Sequence, residues 1–399
     1  MILLALLPAC GTPLDPADGK VDDTGVETGQ DSGDTGGYPE GLDLDAPDGG
    51  FLYTEDHILD FGIELDDAAI AALAADPRTD VHATFRFGPE RYDVGLHLKG
   101  NRSFRTLDEK AAFKIDFGEF VDDQELHGVR RLTLNNMVLD PSMLSEHVAY
   151  ELYGALGVPS PRHGSARVTV NGEWYGLYGI VETMDEQFLA RVWEDDAGNL
   201  YEGGYGGDFR EGCADLFTLQ EAGTPKDGSD LVALVDAVVA STPDTFLALL
   251  DGSFAVDPLL DLWAAELATA NPDAYTTLAN NFYVYHEPTA DRWWMTPWGP
   301  DQAFVDEVPV AGPYYGQLAA NCDAVPECRA RMDEHLDRVL ATWEEMDLSG
   351  WAAAEAARIE ADCRDDPRSE YGDYGCRDAQ AALVSWIAAR PDAVRAQTE

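Results

Sequence analysis

An α+β fold of two lobes is predicted by three observations. The 399 residues carry 45% apolar content, enough chain and enough apolar surface to bury a sizeable core. From Phe51 to about residue 184 the dominant pattern is period-two alternation, the mark of half-buried strands. From about residue 185 to the end, apolar residues recur at helical spacing. The reading is a strand-rich N-lobe over about 51–184 and a helix-rich C-lobe over about 185–399.

The elements follow in order. "DDAAIAALAADP" has a helix start and a Pro stop. "FRFGPERYDVGLHLKG" alternates across a Gly-Pro turn and reads as a hairpin, and "AAFKIDFGEF" and "LTLNNMVLD" as strands. "PSMLSEHVAYELYGALGVPSP" reads as a helix with Pro at its first position. "SARVTVNG" and "EWYGLYGIVETMD" are strands joined at Asn-Gly. Helices are expected at 228–241, 257–270, 328–346, 350–362 and 377–396. One strand pair interrupts them, "NNFYVYHEP" with "DRWWMTPWGPD". No internal repeat is present.

The first fifty residues read differently. "MILLALLPAC" is an apolar run too short to span a bilayer. It has the form of a bacterial lipoprotein signal over residues 1–10, with Cys10 as the lipidated residue, although it lacks a basic n-region. Residues 11–50 are rich in Asp, Gly and Thr and read as a disordered, self-repelling tether. A membrane partner through the lipid anchor and a place in the bacterial cell envelope follow. The tether's Asp-Gly spacing holds no complete twelve-residue calcium-ligand pattern.

Charge narrows the partners. Asp plus Glu number 75 against 26 Lys plus Arg, for a net charge of -49. Such a chain repels phosphate backbones, which excludes nucleic acid and favours divalent cations and basic proteins. In an exported protein the neighbouring cysteines Cys322 and Cys328, and Cys363 and Cys376, read as local disulfides. Cys213 is left over, as a free thiol or as a partner in a different pairing. The spacings do not resemble a zinc site.

Several residues suit chemistry. On the helix near 141–155, Leu144, Val148, Leu152 and Ala155 form one stripe, with Glu151 inside it and Glu146 opposite. A buried Glu needs a cationic partner. Lys110 and Lys114, on one face of the strand "EKAAFKIDF", are candidates. Asp273 precedes the hairpin that opens with Asn280 and Asn281, and Asp301 follows its second strand. An acid to accept a proton, with an amide and a second acid to hold a hard cation, fits that order. Lysine, helix Glu, a strand ending at Val181–Met184 with Glu182 as hinge, then Asp, Asn and Asp is the order of parts in protein-kinase-like folds. No G-x-G-x-x-G, H-R-D or D-F-G is present.

The segments "LHLKGNRSFRTLDEKAAFKIDF", "DPSMLSEHVAYELYGALGVPSPR", "VNGEWYGLYGIVETMDEQFL" and "NPDAYTTLANNFYVYHEPTADRWWMTPWGPDQAF" resemble the CotH kinase family. They run colinearly from roughly Phe51 to about Leu340. The resemblance implies an atypical protein-kinase-like fold that uses ATP and a divalent metal, Mg²⁺ or Mn²⁺, to phosphorylate protein side chains. Carried over by position, Lys110 is the first choice for ATP and Lys114 the second. Asp273 is the catalytic Asp, Asp301 the metal Asp and Asn281 one of the paired Asn residues. Gly100, Ser103 and Arg105 shape the phosphate end. Relatives carry Trp-Asp-Phe-Asp where this chain has Trp298-Gly299-Pro300-Asp301, so only the second acid is kept. The helical pattern favours Glu151 as the lysine's partner, and Glu146 also fits the family. The expectation is a monomeric, lipid-anchored kinase acting on Ser or Thr of envelope proteins. Its alternatives are a surface-binding or coat-structural module without catalysis, and a kinase-like enzyme that transfers another group.

Overall fold

The computed structural model describes residues 37–305 and 308–398. The signal segment, Cys10 and the tether as far as residue 36 lie outside the described residues. The folded part takes in residues ahead of the expected boundary at Gly50. Tyr38 packs 5.1 Å from the Phe87 ring, and Leu42 and Leu44 lie against the same apolar cluster.

Seven strands close into a barrel: β1 (Ile58–Glu64), β2 (Val81–Phe87), β3 (Glu90–Lys99), β4 (Ala112–Asp116), β5 (Arg131–Asn135), β6 (His163–Val170) and β7 (Glu173–Val181). Their order is β1-β2-β3-β4-β5-β7-β6, and β6 returns parallel to β1. Closure leaves no unpaired edge. The alternation seen in the sequence fills the interior with Phe61, Phe85, Phe113, Leu132 and their neighbours. The predicted hairpin is β2–β3, with Phe85 opposite Tyr92. Helix α1 (Asp67–Ala75) is capped by Asp66, whose carboxylate accepts the Ala69 N–H at 2.7 Å.

Helix α2 (Ser145–Ala155) departs from its predicted start. Pro141 does not open it, because Met143 takes a positive φ of 53°. The Asp140 carboxylate instead gathers the backbone N–H groups of Ser142, Leu144 and Ser145 at 2.7–2.9 Å. The single apolar stripe is also absent. Residues 145–150, 152 and 153 are all buried, since β6 and the later helices Val256–Ala268, Pro326–Glu345 and Leu348–Arg364 pack around this helix. Those helices belong to the second half of the chain.

That half contains α3 (Glu186–Val192), β8 (Asn199–Gly203), β9 (Phe217–Glu221), α4 (Ser229–Ala240), α5 (Pro243–Ser253), α6 (Val256–Ala268) and α7 (Tyr275–Leu278). It continues with β10 (Phe282–Glu287), β11 (Arg292–Pro297), α8 (Gln317–Asp323), α9 (Pro326–Glu345), α10 (Leu348–Arg364) and α11 (Gly372–Thr398). The five predicted helices are present within a few residues of their expected ends. The predicted hairpin β10–β11 is part of a four-stranded sheet ordered β11-β10-β8-β9. β8 and β9 escape sequence detection because they are short and β8 runs straight into the glycines of "EGGYGGD". Disulfides join Cys322 to Cys328 and Cys363 to Cys376, as their spacing suggested. Cys213 is not a free thiol.

Candidate functional site

A cleft of about 570 Å³ opens between the barrel and the four-stranded sheet. On the barrel side it is lined by Lys99, the turn Gly100–Ser103, Asn135 and Glu146. On the other side stand Glu202–Tyr205, Asp273, Asn280, Asn281, Trp298, Asp301 and Gln302.

The barrel wall is built from strand ends. Lys99 is the last residue of β3, and its Nζ donates to Asn135 Oδ1 at the end of β5. Asn135 Nδ2 in turn donates to both carboxylate oxygens of Glu146, at 3.0 and 2.9 Å. The amide bridges amine and acid across the first turn of α2. Lys99 Nζ also sits 5.4 Å from the centroid of the Trp298 ring. Burial pulls the Lys99 ammonium down to about 8, against the opposing pull of Glu146. The turn after Lys99 requires its glycine. Gly100 has φ +104°, and a Cβ there would lie 2.8 Å from Ser103 Oγ.

The opposite wall is an array of amides around one acid. Asp273 follows α6 in a loop fixed by Asn271 Oδ1, which accepts the Asp273 N–H at 3.0 Å. Its carboxylate accepts from Asn280 at 2.9 Å, Asn281 at 3.0 Å and Gln302 at 3.2 Å. Asp301 lies in the short turn Pro300–Gln302 after β11. Gly299, in the left-handed region, donates its N–H to Tyr150 Oη of α2 at 3.0 Å, which ties this turn to the helix that carries Glu146. Asp301 is pushed up to about 8, first by burial and then by the carboxylates of Glu146, Asp140 and Asp273. Lys99 offsets only part of that field.

The predicted residues therefore divide. Asp273, Asn281 and Asp301 meet in one cleft. Lys110 lies outside it, 1% exposed, with Nζ 2.7 Å from Asp366 Oδ2 and 5.3 Å from the Tyr178 ring centroid. Lys114, on β4, does not line the cleft, although its charge reaches Lys99 and Glu202. Arg105 is held by Glu370 and by the carbonyls of Arg102 and Phe104. Glu151 faces a separate cleft of about 500 Å³ with Arg162 and Arg191. Of the two helix acids, Glu146 is the one beside Lys99. Glu182 lies away from the site. Its carboxylate pairs with Arg162 at 2.7 Å and Arg191 at 2.6 Å, and its backbone N–H donates to the Arg162 carbonyl.

Sequence reasoning passed over Lys99, Asn135 and the glycine loop at 203–207. The signal for Lys99 was present: it closes an alternating strand and directly precedes the Gly-x-x-Ser turn. Asn135 had none, because an Asn at a strand end is commonplace.

Under the Asp273 loop lies a buried acid. Glu266 of α6 accepts the Thr276 N–H at 3.0 Å, and burial raises its carboxyl from the ordinary 4.5 to about 7. A carboxyl that binds its proton more tightly when folded favours folding below pH 4.5. That advantage fades as pH rises through 7. Above pH 7 Glu266 is expected to cost on the order of 2–3 kcal/mol. Urea unfolding at pH 5 and pH 8 checks this: Glu266→Gln is expected to reduce the difference between the two, the remainder belonging to groups such as Asp301.

Among the described residues no three His, Cys, Asp or Glu side chains converge as a metal site. Among the oxygen donors that line the cleft are Asp301, Asp273 and the Asn281 amide, whose nitrogen is already given to Asp273. This set fits a hard divalent cation that takes one or two protein carboxylates and leaves its other positions to water and phosphate.

The family profile described as "CotH kinase protein" matches residues 96–390. The inner spore coat protein H of Bacillus subtilis (strain 168) is 23% identical over 232 residues, which are 55% of this chain and 61% of that protein. An inner spore coat protein H-like protein of the same organism is 34% identical over 74 residues, 18% of this chain and 22% of that protein. The chain thus spans less than two thirds of the length of either relative.

Proposed function

Since the chain belongs to the CotH kinase protein family, we propose that it transfers the γ-phosphoryl group of ATP to protein hydroxyls, those of Ser or Thr. In this reading the barrel and the helical half are the two lobes of an atypical kinase-like fold, and the 570 Å³ cleft between them takes the nucleotide. The observation that carries it is the meeting of Lys99, Asp273, Asn281 and Asp301 at one cleft from distant segments of the chain.

Each residue then has a task. Lys99 holds phosphate oxygens, kept in place by Asn135 and through it by Glu146. Trp298, Tyr283 and Phe282 supply apolar surface for the nucleotide. Asp273, oriented by its three amides, accepts the proton of the attacking hydroxyl. The hydroxyl oxygen bonds to the γ-phosphorus as the bond to the leaving ADP breaks. Asp301 and Asn281 would hold Mg²⁺ or Mn²⁺, which supplies neutralisation of phosphate charge. Arg102 at the mouth is the cation best placed to meet incoming phosphate in a strongly acidic molecule.

Export and anchoring through Cys10 belong to the same proposal. "MILLALLPAC" supports them, as do the Cys322–Cys328 and Cys363–Cys376 disulfides, since such bonds persist in oxidising compartments. Among the described residues no helix is long and apolar enough to cross a membrane.

Thermal unfolding with and without Mg-ATP tests the reading, together with transfer of labelled phosphate to the protein itself and to envelope proteins. A ligand present at a hundred times its Kd stabilises by about 2.7 kcal/mol. No stabilisation and no transfer would reject it. The names of the relatives favour one other reading, a coat-structural module. That module would bind partners without gaining stability from Mg-ATP.

A further inference from the structure

The segment between α10 and α11 reaches back across the molecule to the barrel. Its start is pinned by Cys363–Cys376. Asp366 enters the barrel at Gly176, where a Cβ would lie 2.7 Å from its carboxylate. There its Oδ2 meets Lys110 Nζ at 2.7 Å and accepts the Leu177 N–H at 2.9 Å. The Asp365 carbonyl accepts Trp174 Nε1–H at 3.1 Å, and the Arg368 guanidinium lies 4.1 Å from the Tyr175 ring centroid. Much of "NGEWYGLYGIVE", a motif the nucleotide site does not use, is therefore a seat for this segment.

The same segment grips the cleft wall. Glu370 takes the Arg105 guanidinium through both carboxylate oxygens, with Nη2 to Oε2 at 3.0 Å. Arg105 in turn holds the Arg102 carbonyl at 3.3 Å, inside the turn that lines the cleft. Asn136 Nδ2 donates to the carbonyls of Ser103 and Lys110, linking that turn to the backbone beside the buried ion pair. Tyr371 Oη donates to the Val138 carbonyl at 3.2 Å, between the cleft residues Met137 and Leu139.

We propose that the disulfide-closed segment 363–376 is an intramolecular brace, with Glu370 and Asp366 as positioning residues that set the Gly100–Ser103 turn for the nucleotide's phosphates. The effect on phosphate binding rests on the kinase reading; the bracing of the turn does not. Lys110 and Arg105 then act on the cleft through this brace and not by touching the nucleotide.

The test uses the full chain in three forms: wild type, Glu370→Gln, and Cys363→Ser with Cys376→Ser. The Cys322→Ser/Cys328→Ser pair serves as the disulfide control. Hydrogen exchange of amides 100–105 without nucleotide is read first. Both brace variants are expected to exchange there at least about tenfold faster than wild type and the control. Unchanged exchange in Glu370→Gln overturns the brace, whether or not the protein is a kinase. Kinetics follow. KM for Mg-ATP is expected to rise three- to tenfold in Glu370→Gln while kcat stays within twofold. Equal loss in kcat and kcat/KM, or no change in KM, overturns the positioning role. The charge swap Arg105→Glu with Glu370→Arg is expected to restore much of the wild-type KM, which a general loss of stability would not allow. A wild type that binds no nucleotide rejects the function but leaves the exchange result standing.

Discussion

Lys99→Ala is expected to lower phosphotransfer by at least about a hundredfold, the scale lost when one preorganised charge is removed from a phosphoryl-transfer site. Fold stability should change little, because Lys99 already carries a burial penalty that draws it down to about 8. Lys110→Ala should mainly cost stability, with transfer weakened only through a higher KM for Mg-ATP. It strands the Asp366 carboxylate in the interior, and breaking such a pair costs about 3–5 kcal/mol. Urea unfolding and labelled-phosphate transfer on both variants check the contrast. If Lys110→Ala abolished transfer with stability intact while Lys99→Ala left it untouched, the assignment of the phosphate lysine would be reversed.

The two acids are expected to separate binding from chemistry. Asp301→Asn should remove the metal dependence of nucleotide affinity, because a carboxylate set among the acids Glu146, Asp140 and Asp273 is gone. Asp273→Asn should leave Mg-ATP binding within a few-fold of wild type and cut transfer by about 10²–10⁴, the usual contribution of a general base. The Asn280 amide can still donate to the Asn carbonyl oxygen, and the backbone N–H of residue 273 keeps its bond to Asn271, so the loop should survive the change. Calorimetric titration of Mg-ATP into each variant, beside the transfer assay, reads the two effects independently. An Asp273→Asn protein with full transfer would remove Asp273 from the base role.

The sequence made the architecture readable where local pattern and final environment agree. Barrel strands such as β1 and β2 alternate because one face meets the Phe61–Phe85–Phe113 core and the other does not. Late helices such as α4 and α9 carry stripes because each packs on one side. α2 defeated the same logic, for a helix surrounded by neighbours has no solvent face to show as a polar stripe. The acidic half of the site was legible for a related reason. Asp273, Asn281 and Asp301 sit in turns that flank one hairpin, so proximity in sequence stood in for proximity in space. The basic half was not. Lys99 closes β3 and Lys110 stands just ahead of β4, each next to an apolar residue in sequence. What sorts them is the position of Asp366, which lies at the far end of the chain and which no local pattern connects to either. The pattern offers one inward lysine at 110 or 114 with a helix Glu as its partner; the inward one is Lys110, and its partner is Asp366.

The Lys110–Asp366 pair has a consequence for biosynthesis. A ribosome releases the barrel strands long before residue 366 leaves the exit tunnel. Through that interval a lysine destined for the interior has no counter-charge, and the glycine seat at Gly176 stands open. Final consolidation of the amino-terminal half must wait for the carboxyl-terminal helices, so a translation product truncated before that point would carry an unsealed barrel for quality-control proteases to find.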